Sequence, residues 1–276
     1  MKNLLSKKNS NWFIRTGTVI TVFMLALILL GVVWTPYDSS FMDATARLKP
    51  PSMAHIFGTD NFGRDLFSRI LEGAGTTAVI ALMIVLIGLF FGTIIGAVSG
   101  YSGGWIDEVL MRICDAITAF PNVMLALVLI AIFGTGDTNV VWVLGILFIP
   151  SYSKVVRSEF KKQKNLNYIK SARLMGAGPL RIIFVHILPN IWSVLFPTII
   201  IGFNNAVLAE ASMSFLGIGV SANKPSLGRM LNEAQNFLVG GAPWYAIFVG
   251  LTIVLLILGL SMLGEGLTQQ RRDSNA

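Results

Sequence analysis

An all-α membrane protein of six spanning helices follows from three features of this chain. Of its 276 residues 54% are hydrophobic and only 13% are charged, against a charged share of about 25% in soluble domains. The apolar residues gather into long continuous runs instead of alternating, which selects helices over barrel strands. Six runs approach the roughly 20 residues that a helix needs to cross a hydrocarbon core about 30 Å thick. The expected spans are 15–34, 75–99, 108–133, 139–153 (extendable to 157), 188–209 and 244–264.

The first run follows Lys2, Lys7, Lys8 and Arg15, as a signal peptide would. It is long, and no small-residue cleavage site lies around Trp34-Thr35-Pro36, so it reads as a retained span. Residues 35–72 then form an outer excursion broken by Pro50 and Pro51, with Asp65–Glu72 as a short helix leading into the second span. That span carries Gly88, Gly92, Gly96 and Gly100 along one face. Such a ridge permits close helix contact, either inside this chain or as a seam against a partner subunit.

In the third run Arg112 and Asp115 share a helix face, and Pro121 predicts a kink. The plain expectation for the two charges is snorkelling and mutual pairing; the alternative is a place on the permeation path. Glu210, at the outer end of the fifth run, is expected as an interfacial carboxylate, with a pathway or gating contact as the alternative. Residues 210–243 form the last outer stretch, marked as turns by Gly217, Gly219, Pro225, Gly228, Gly240, Gly241 and Pro243.

Charge orients the helices. With a cytoplasmic N-terminus, six spans return the C-terminus to the cytoplasm. Of the 21 Lys and Arg residues only Arg47, Lys49, Arg64, Arg69, Lys224 and Arg229 then lie outside. The positive-inside bias selects this arrangement. Topology and anionic lipid account for the +7 net charge without nucleic acid. One cysteine, Cys114, and two distant histidines, His55 and His186, offer no metal set. No G-x-x-x-x-G-K-[ST] phosphate loop and no catalytic cluster occurs, so the chain reads as a non-enzyme that binds no cofactor of its own.

One inner stretch stands out. Asn167–Met175 predicts a short helix with Asn167 as N-cap and Gly176 or Gly178 as stop. Gly178-Pro179 starts a second helix, and Leu188-Pro189 leads into the fifth span. Ile169, Ala172 and Gly176 share a small apolar face, while Lys170 and Arg173 lie off it. By spacing alone that face suits either a docking partner or lipid headgroups.

Tyr168-Ile169-Lys170-Ser171-Ala172-Arg173-Leu174-Met175-Gly176-Ala177, continuing to His186-Ile187-Leu188-Pro189, resembles the EAA loop of binding-protein-dependent ABC importer permeases. Lys170 and Ser171 depart from its Glu-Ala-Ala start; Ala172, Gly176, Leu188 and Pro189 match. "FGTDNFGRDLFSRILEGAGTT" at 57–77, "GYSGGWIDEVLMRICDAITAFPN" at 100–122 and "LAEASMSFLGIG" at 208–219 resemble signatures of the dipeptide, oligopeptide and nickel permease group. The short N-terminus is similar to its C-type subunit. "NKPSLGRML" at 223–231 departs, lacking the tryptophan often found before the glycine.

The resemblance implies a type I ABC importer permease fold, with an N-terminal span and extracytoplasmic segment at 1–72 and a permease core at 73–276 that holds a coupling loop at 161–187. It implies half of a translocation pore for di- or oligopeptides in the bacterial inner membrane, with nickel or a metal chelate as the alternative cargo. Its implied partners are a second related permease, two cytoplasmic ATPase subunits that carry ATP and Mg, an extracytoplasmic substrate-binding protein, and lipid. It assigns Tyr168, Ile169, Lys170, Ala172, Arg173, Gly176 and Ala177 to ATPase docking. An ion-coupled secondary transporter is the competing class, but no inverted repeat is evident.

Overall fold

The computed structural model describes residues 2–221 and 223–274, with side chains described from 12 to 221 and from 223 to 270. Its long helices are α1 (Lys2–Val33), α2 (Leu66–Ser102), α5 (Asp137–Lys164), α8 (Leu188–Phe215) and α10 (Pro243–Ser274). Between them lie α3 (Gly104–Thr118), α4 (Asn122–Phe133), α6 (Asn167–Leu174), the single turn α7 (Pro179–Arg181) and α9 (Leu227–Gln235).

Five segments are long and apolar enough to cross a membrane, one of them running unbroken from Pro179 to Phe215. The expected third span is different. Its two halves, α3 and α4, meet at 86° around Ala119–Pro121 and count as one span only if the bend is included. Proline removes a donor and clashes with the preceding turn. Here it sits at the N-cap of α4, so the expected kink becomes a corner. Another difference is that the short helix expected at 65–72 is continuous with the second span, because Asp65 caps α2 by accepting from Ser68 N and Oγ, each at 2.8 Å.

The glycine ridge decides how the helices approach. Gly88, Gly92, Gly96 and Gly100 of α2 lie against Tyr152, Ile149, Ser153, Arg157 and Phe160 of α5 in rising order, so the two helices run parallel. A Cβ at Gly92 would stand 2.6 Å from Tyr152 Cβ, and one at Gly96 2.6 Å from the Ser153 carbonyl oxygen. Gly145 of α5 returns the contact against Ile87. The ridge is therefore occupied from within the chain. In lipid, where burying apolar surface gains little, this packing holds helices together.

A second close pair frames the fold. Gly17 of α1 meets Met262 and Leu263 of α10, and Gly259 of α10 meets Ile20 and Thr21, an antiparallel match. Gly31, near the end of α1, meets Leu71 near the start of α2. These directions place the start of α1, the end of α10 and the 161–187 segment at one end of the bundle. Residues 35–65, 216–221 and 223–242 lie at the other.

A Gly96→Leu exchange should disrupt the α2–α5 seam by at least the roughly 1–3 kcal/mol of an overpacked core, seen as a lowered unfolding midpoint in detergent. Gly250 has no atom within 4 Å of its built Cβ, so Gly250→Ala should stay within about 0.5 kcal/mol of the parent.

Candidate functional site

The 161–187 segment forms a compact cap on the ends of α5 and α8. Helix α6 ends in a glycine C-cap: Gly176 N–H donates to Arg173 O at 2.9 Å and Ala177 N–H to Ala172 O at 3.0 Å, with Gly176 at φ +86°. Gly176 is thus the stop, as its position predicts. The expected Asn167 N-cap is not formed; Leu166 holds that position without a side-chain cap. A wide, π-type turn at Ile182–Ile187 then precedes Leu188-Pro189. It absorbs the hydrogen bond that Pro189 cannot make, and the helix continues into α8.

The face expected to dock is turned inward. Ile169 is fully buried and Ala172 is 4% exposed. Ile169 packs with Val156, Phe160, Ile182, Ile187 and Ile191, where burial of its side chain contributes roughly 2 kcal/mol. An amphipathic helix turns its apolar stripe to the nearest apolar surface, and here that surface is the helix ends of its own chain. The opposite side is open: Lys170, Arg173, Gly176 and Gly178 are exposed, and Leu174, Met175 and Leu180 are exposed to 90%, 81% and 70%. Ala177 is half-buried.

Tyr168 and Arg173 also look inward at their tips. The Tyr168 hydroxyl donates to Gln163 Oε1 at 2.7 Å and accepts from Asn190 Nδ2 at 3.2 Å, linking the end of α5 to the start of α8 through α6. Arg173 and Lys164 both stack over the Tyr101 ring at the end of α2, at 5.5 and 5.4 Å. Spacing alone could not find these contacts, because each joins residues from separate helices.

The three charged residues of the third and fifth runs are placed differently from the plain expectation of a mutual pair and an interfacial carboxylate. Arg112 and Asp115 do not pair with each other. Arg112 approaches Glu108 at 3.7 Å, and Asp115 meets Lys154 at 2.8 Å, all on exposed surface. The i, i+4 partner and the neighbouring helix offer closer charges than the i, i+3 neighbour. Glu210 is not interfacial but fully buried, accepting from Ser214 Oγ at 2.7 Å and facing Thr77 and Ser226. None of the three lines the cleft between α4, α5 and α8, about 350 Å³ in volume. That cleft is walled by Asn122, Ser151, Tyr152, Thr198, Asn205 and Ser212 among apolar neighbours, with no charged side chain. Tyr152 is wedged there against Gly202, and its hydroxyl has no hydrogen-bond partner among the described residues.

At the other end, a charge network explains the 57–77 motif. Asp60 Oδ1 accepts from Phe62 N at 2.8 Å and Arg64 N at 2.9 Å, closing a turn, while its Oδ2 meets Arg64 Nε at 2.6 Å and Arg69. Gly63, at φ +78°, lies so near Asp43 O that a Cβ would clash at 1.9 Å. Arg69 reaches Glu233 of α9 at 3.1 Å, and Tyr245 of α10 donates to the same carboxylate at 2.9 Å. Burial opposes ionisation of Glu233, but Arg69 and the Tyr245 hydroxyl outweigh it and hold the carboxyl below its usual range. His55 Nδ1 sits 2.9 Å from Asp65, so this histidine also serves the 35–65 loop.

Ala172→Asp puts an unpartnered carboxylate into the apolar cluster and should open the cap by several kcal/mol (about 3), read as faster hydrogen exchange over 167–187. Lys170→Ala, on the open side, should leave exchange unchanged. At the other end, the lowered Glu233 pKa supplies stability above its unfolded value that is lost as pH falls through the folded one. Unfolding in detergent should therefore show an acid limb below roughly pH 4 that Glu233→Gln weakens.

Comparison with known proteins places the chain in a family. Residues 88–272 match the family model described as binding-protein-dependent transport system inner membrane component. A glutathione transport system permease protein, GsiD, of Pectobacterium atrosepticum is 40% identical over 92% of this chain and 86% of its own length. Dipeptide transport system permease proteins, DppC, of Alkalihalophilus pseudofirmus and Haemophilus influenzae are 37% and 36% identical, over 91% and 90% of this chain and 82% and 86% of their own. In fold the chain is similar to the MetNI methionine ABC transporter in an inward-facing form, at TM-score 0.57 and 17% identity, covering 75% of this chain and 95% of that one. It is similar also to an amino acid ABC transporter, at TM-score 0.56 and 18% identity, covering 74% and 94%. An inward-turned α6 cap at one end of a six-span bundle is thus a feature of a chain that belongs to the binding-protein-dependent transport system inner membrane component family.

Proposed function

We propose that this permease forms half of an import pore for small peptides, and that its exposed α6 surface is where a partner ATPase docks. The observation that carries the docking reading is the trio Leu174, Met175 and Leu180, exposed at the tip of a segment otherwise edged by Lys170, Arg173 and Arg181. Large apolar side chains presented together on a polar rim favour a protein partner. Lys170, Arg173 and the backbone around Gly176 belong to that surface; Ile169 and Ala172 support it from behind, and Tyr168 ties it to α5 and α8.

The positive-inside bias supports a cytoplasmic position for this end and for both termini. A second permease would complete the pore, a pair of ATPases would bind nucleotide, and a binding protein would dock on the 35–65 and 216–242 end. Closure of the ATPase pair pushes α6. The push reaches α5 through Tyr168 and Gln163 and reaches α8 through Asn190, which tilts the two helices that wall the cleft.

The cleft's lining supports the choice of cargo. Hydroxyl and amide side chains without charge match the carbonyl and N–H groups of a peptide and favour no one side-chain type. The relatives named for dipeptide and glutathione support the same choice over nickel.

Copurification in mild detergent tests the docking reading. An ATPase should accompany the parent chain. Paired Leu174→Asp and Met175→Asp exchanges should cut that recovery by roughly tenfold or more while leaving membrane insertion intact. Equal recovery of the ATPase with this variant would refute the assignment of the surface.

A further inference from the structure

Helix α3 sits between two joints and is clamped to a helix that runs directly into the α6 cap. Its start is separated from α2 by Gly103 and Gly104, both at positive φ (71° and 56°) and both with no atom within 4 Å of a built Cβ. Its end is the 86° corner at Ala119–Pro121. Beyond that corner, Asn122 and Val123 of α4 line the cleft.

Between the joints α3 follows α5. Asp107, 7% exposed, accepts from Arg157 Nη2 at 2.7 Å, from Lys161 Nζ at 2.5 Å, from Arg157 Nε and from Ser99 Oγ. At the other end of α3, Lys154 Nζ reaches Asp115 at 2.8 Å and Thr118 Oγ1 at 3.1 Å. Met111 and Cys114 fill the stripe between these contacts and are buried. Asp107 and Asp115 are about 12 Å apart along α3, while Lys154 lies about 4.5 Å from Arg157 and about 10 Å from Lys161 along α5, so the two helices run antiparallel. The clamp is electrostatic and directional. At the first joint no neighbour crowds Gly103 or Gly104, and the Ser99–Asp107 hydrogen bond is the side-chain link across it.

We propose that α3 is a connecting rod that carries displacement of the α6 cap to the mouth of the cleft, with Asp107 as the positioning residue that holds it to α5. The inference rests on the docking reading above and adds a second route into the pore. The first route tilts α5 and α8 directly. The rod moves α4, which contacts neither α6 nor the wide turn that follows it closely. Asp107 is the stronger of the two attachments because it is buried and meets two cations, whereas the Asp115–Lys154 pair is exposed and screened.

The test uses the full complex with its ATPases, in a Cys114→Ala background, with spin labels on Met124→Cys of α4 and Val79→Cys of α2. In the parent, nucleotide should change the label distance. Asp107→Asn should still bring down the ATPase and hydrolyse ATP, yet lose transport by roughly tenfold or more. Its α4 label should stay put while a label on Asn167→Cys, exposed at the start of α6 and outside the docking surface, still responds, and Asp107→Glu should restore most of both readouts. Lys154→Gln, which empties no buried site, should give a smaller loss of the same kind if Asp107→Asn fails to assemble. Transport within about twofold of the parent in both variants, or an unchanged α4 response, would overturn the rod. Failure of the parent chain to recover any ATPase would instead overturn the docking reading, so the two failures are distinguishable.

Discussion

Backbone contact between α2 and α5 is the constraint on which the rest of this permease depends. In the bilayer no hydrophobic effect draws helices together, so close packing must do so. Four glycines at a spacing of four let the α5 backbone settle against α2 along three turns. That settlement places Tyr152 against Gly202 of α8 and so fixes the width of the cleft. It also brings the ends of α2 and α5 side by side, where Ser99 and Arg157 can share Asp107.

Charge is kept to the two ends, and each end does something different with it. On the α6 side, Arg157, Lys161, Lys154, Lys164 and Arg173 hold neighbouring elements together through carboxylates, a carbonyl and the Tyr101 ring. Several of these contacts are partly exposed, where an ion pair is weak and can exchange partners. On the opposite side, Asp60, Arg69, Glu233 and Tyr245 form a buried network that joins the 35–65 loop to α9 and α10. Breaking one member of a buried set is costly, so that end behaves as a rigid plate. One end of the bundle is thus a rigid plate and the end that carries α6 is adjustable.

The corner between α3 and α4 gives the fold its asymmetry. A straight third span would cross the bundle as an ordinary wall. Turned through 86°, α3 lies along α5 and α4 alone reaches the cleft. The same chain thus has a packed, glycine-seamed half and a half that hangs on joints.

Hydropathy and composition were enough to determine the helical class, the placement of five of the six expected spans and the end at which cations collect, because each depends only on residues adjacent in sequence or one helical turn apart. The glycine stop at Gly176 was legible for the same reason, as was the close-contact ridge at Gly88–Gly100. Tertiary structure alone decided which face of each element is used. Ile169 and Ala172 read as a docking face until the ends of α5 and α8 were present to bury them. Glu210 read as interfacial until Ser214, Thr77 and Ser226 surrounded it, and Arg112 and Asp115 read as a pair until Lys154 arrived from another helix. Asp107 gave no signal of its clamp, since its two cationic partners lie 50 and 54 residues away in sequence. Local periodicity reports which residues share a face; what the face meets is settled only when distant helices pack.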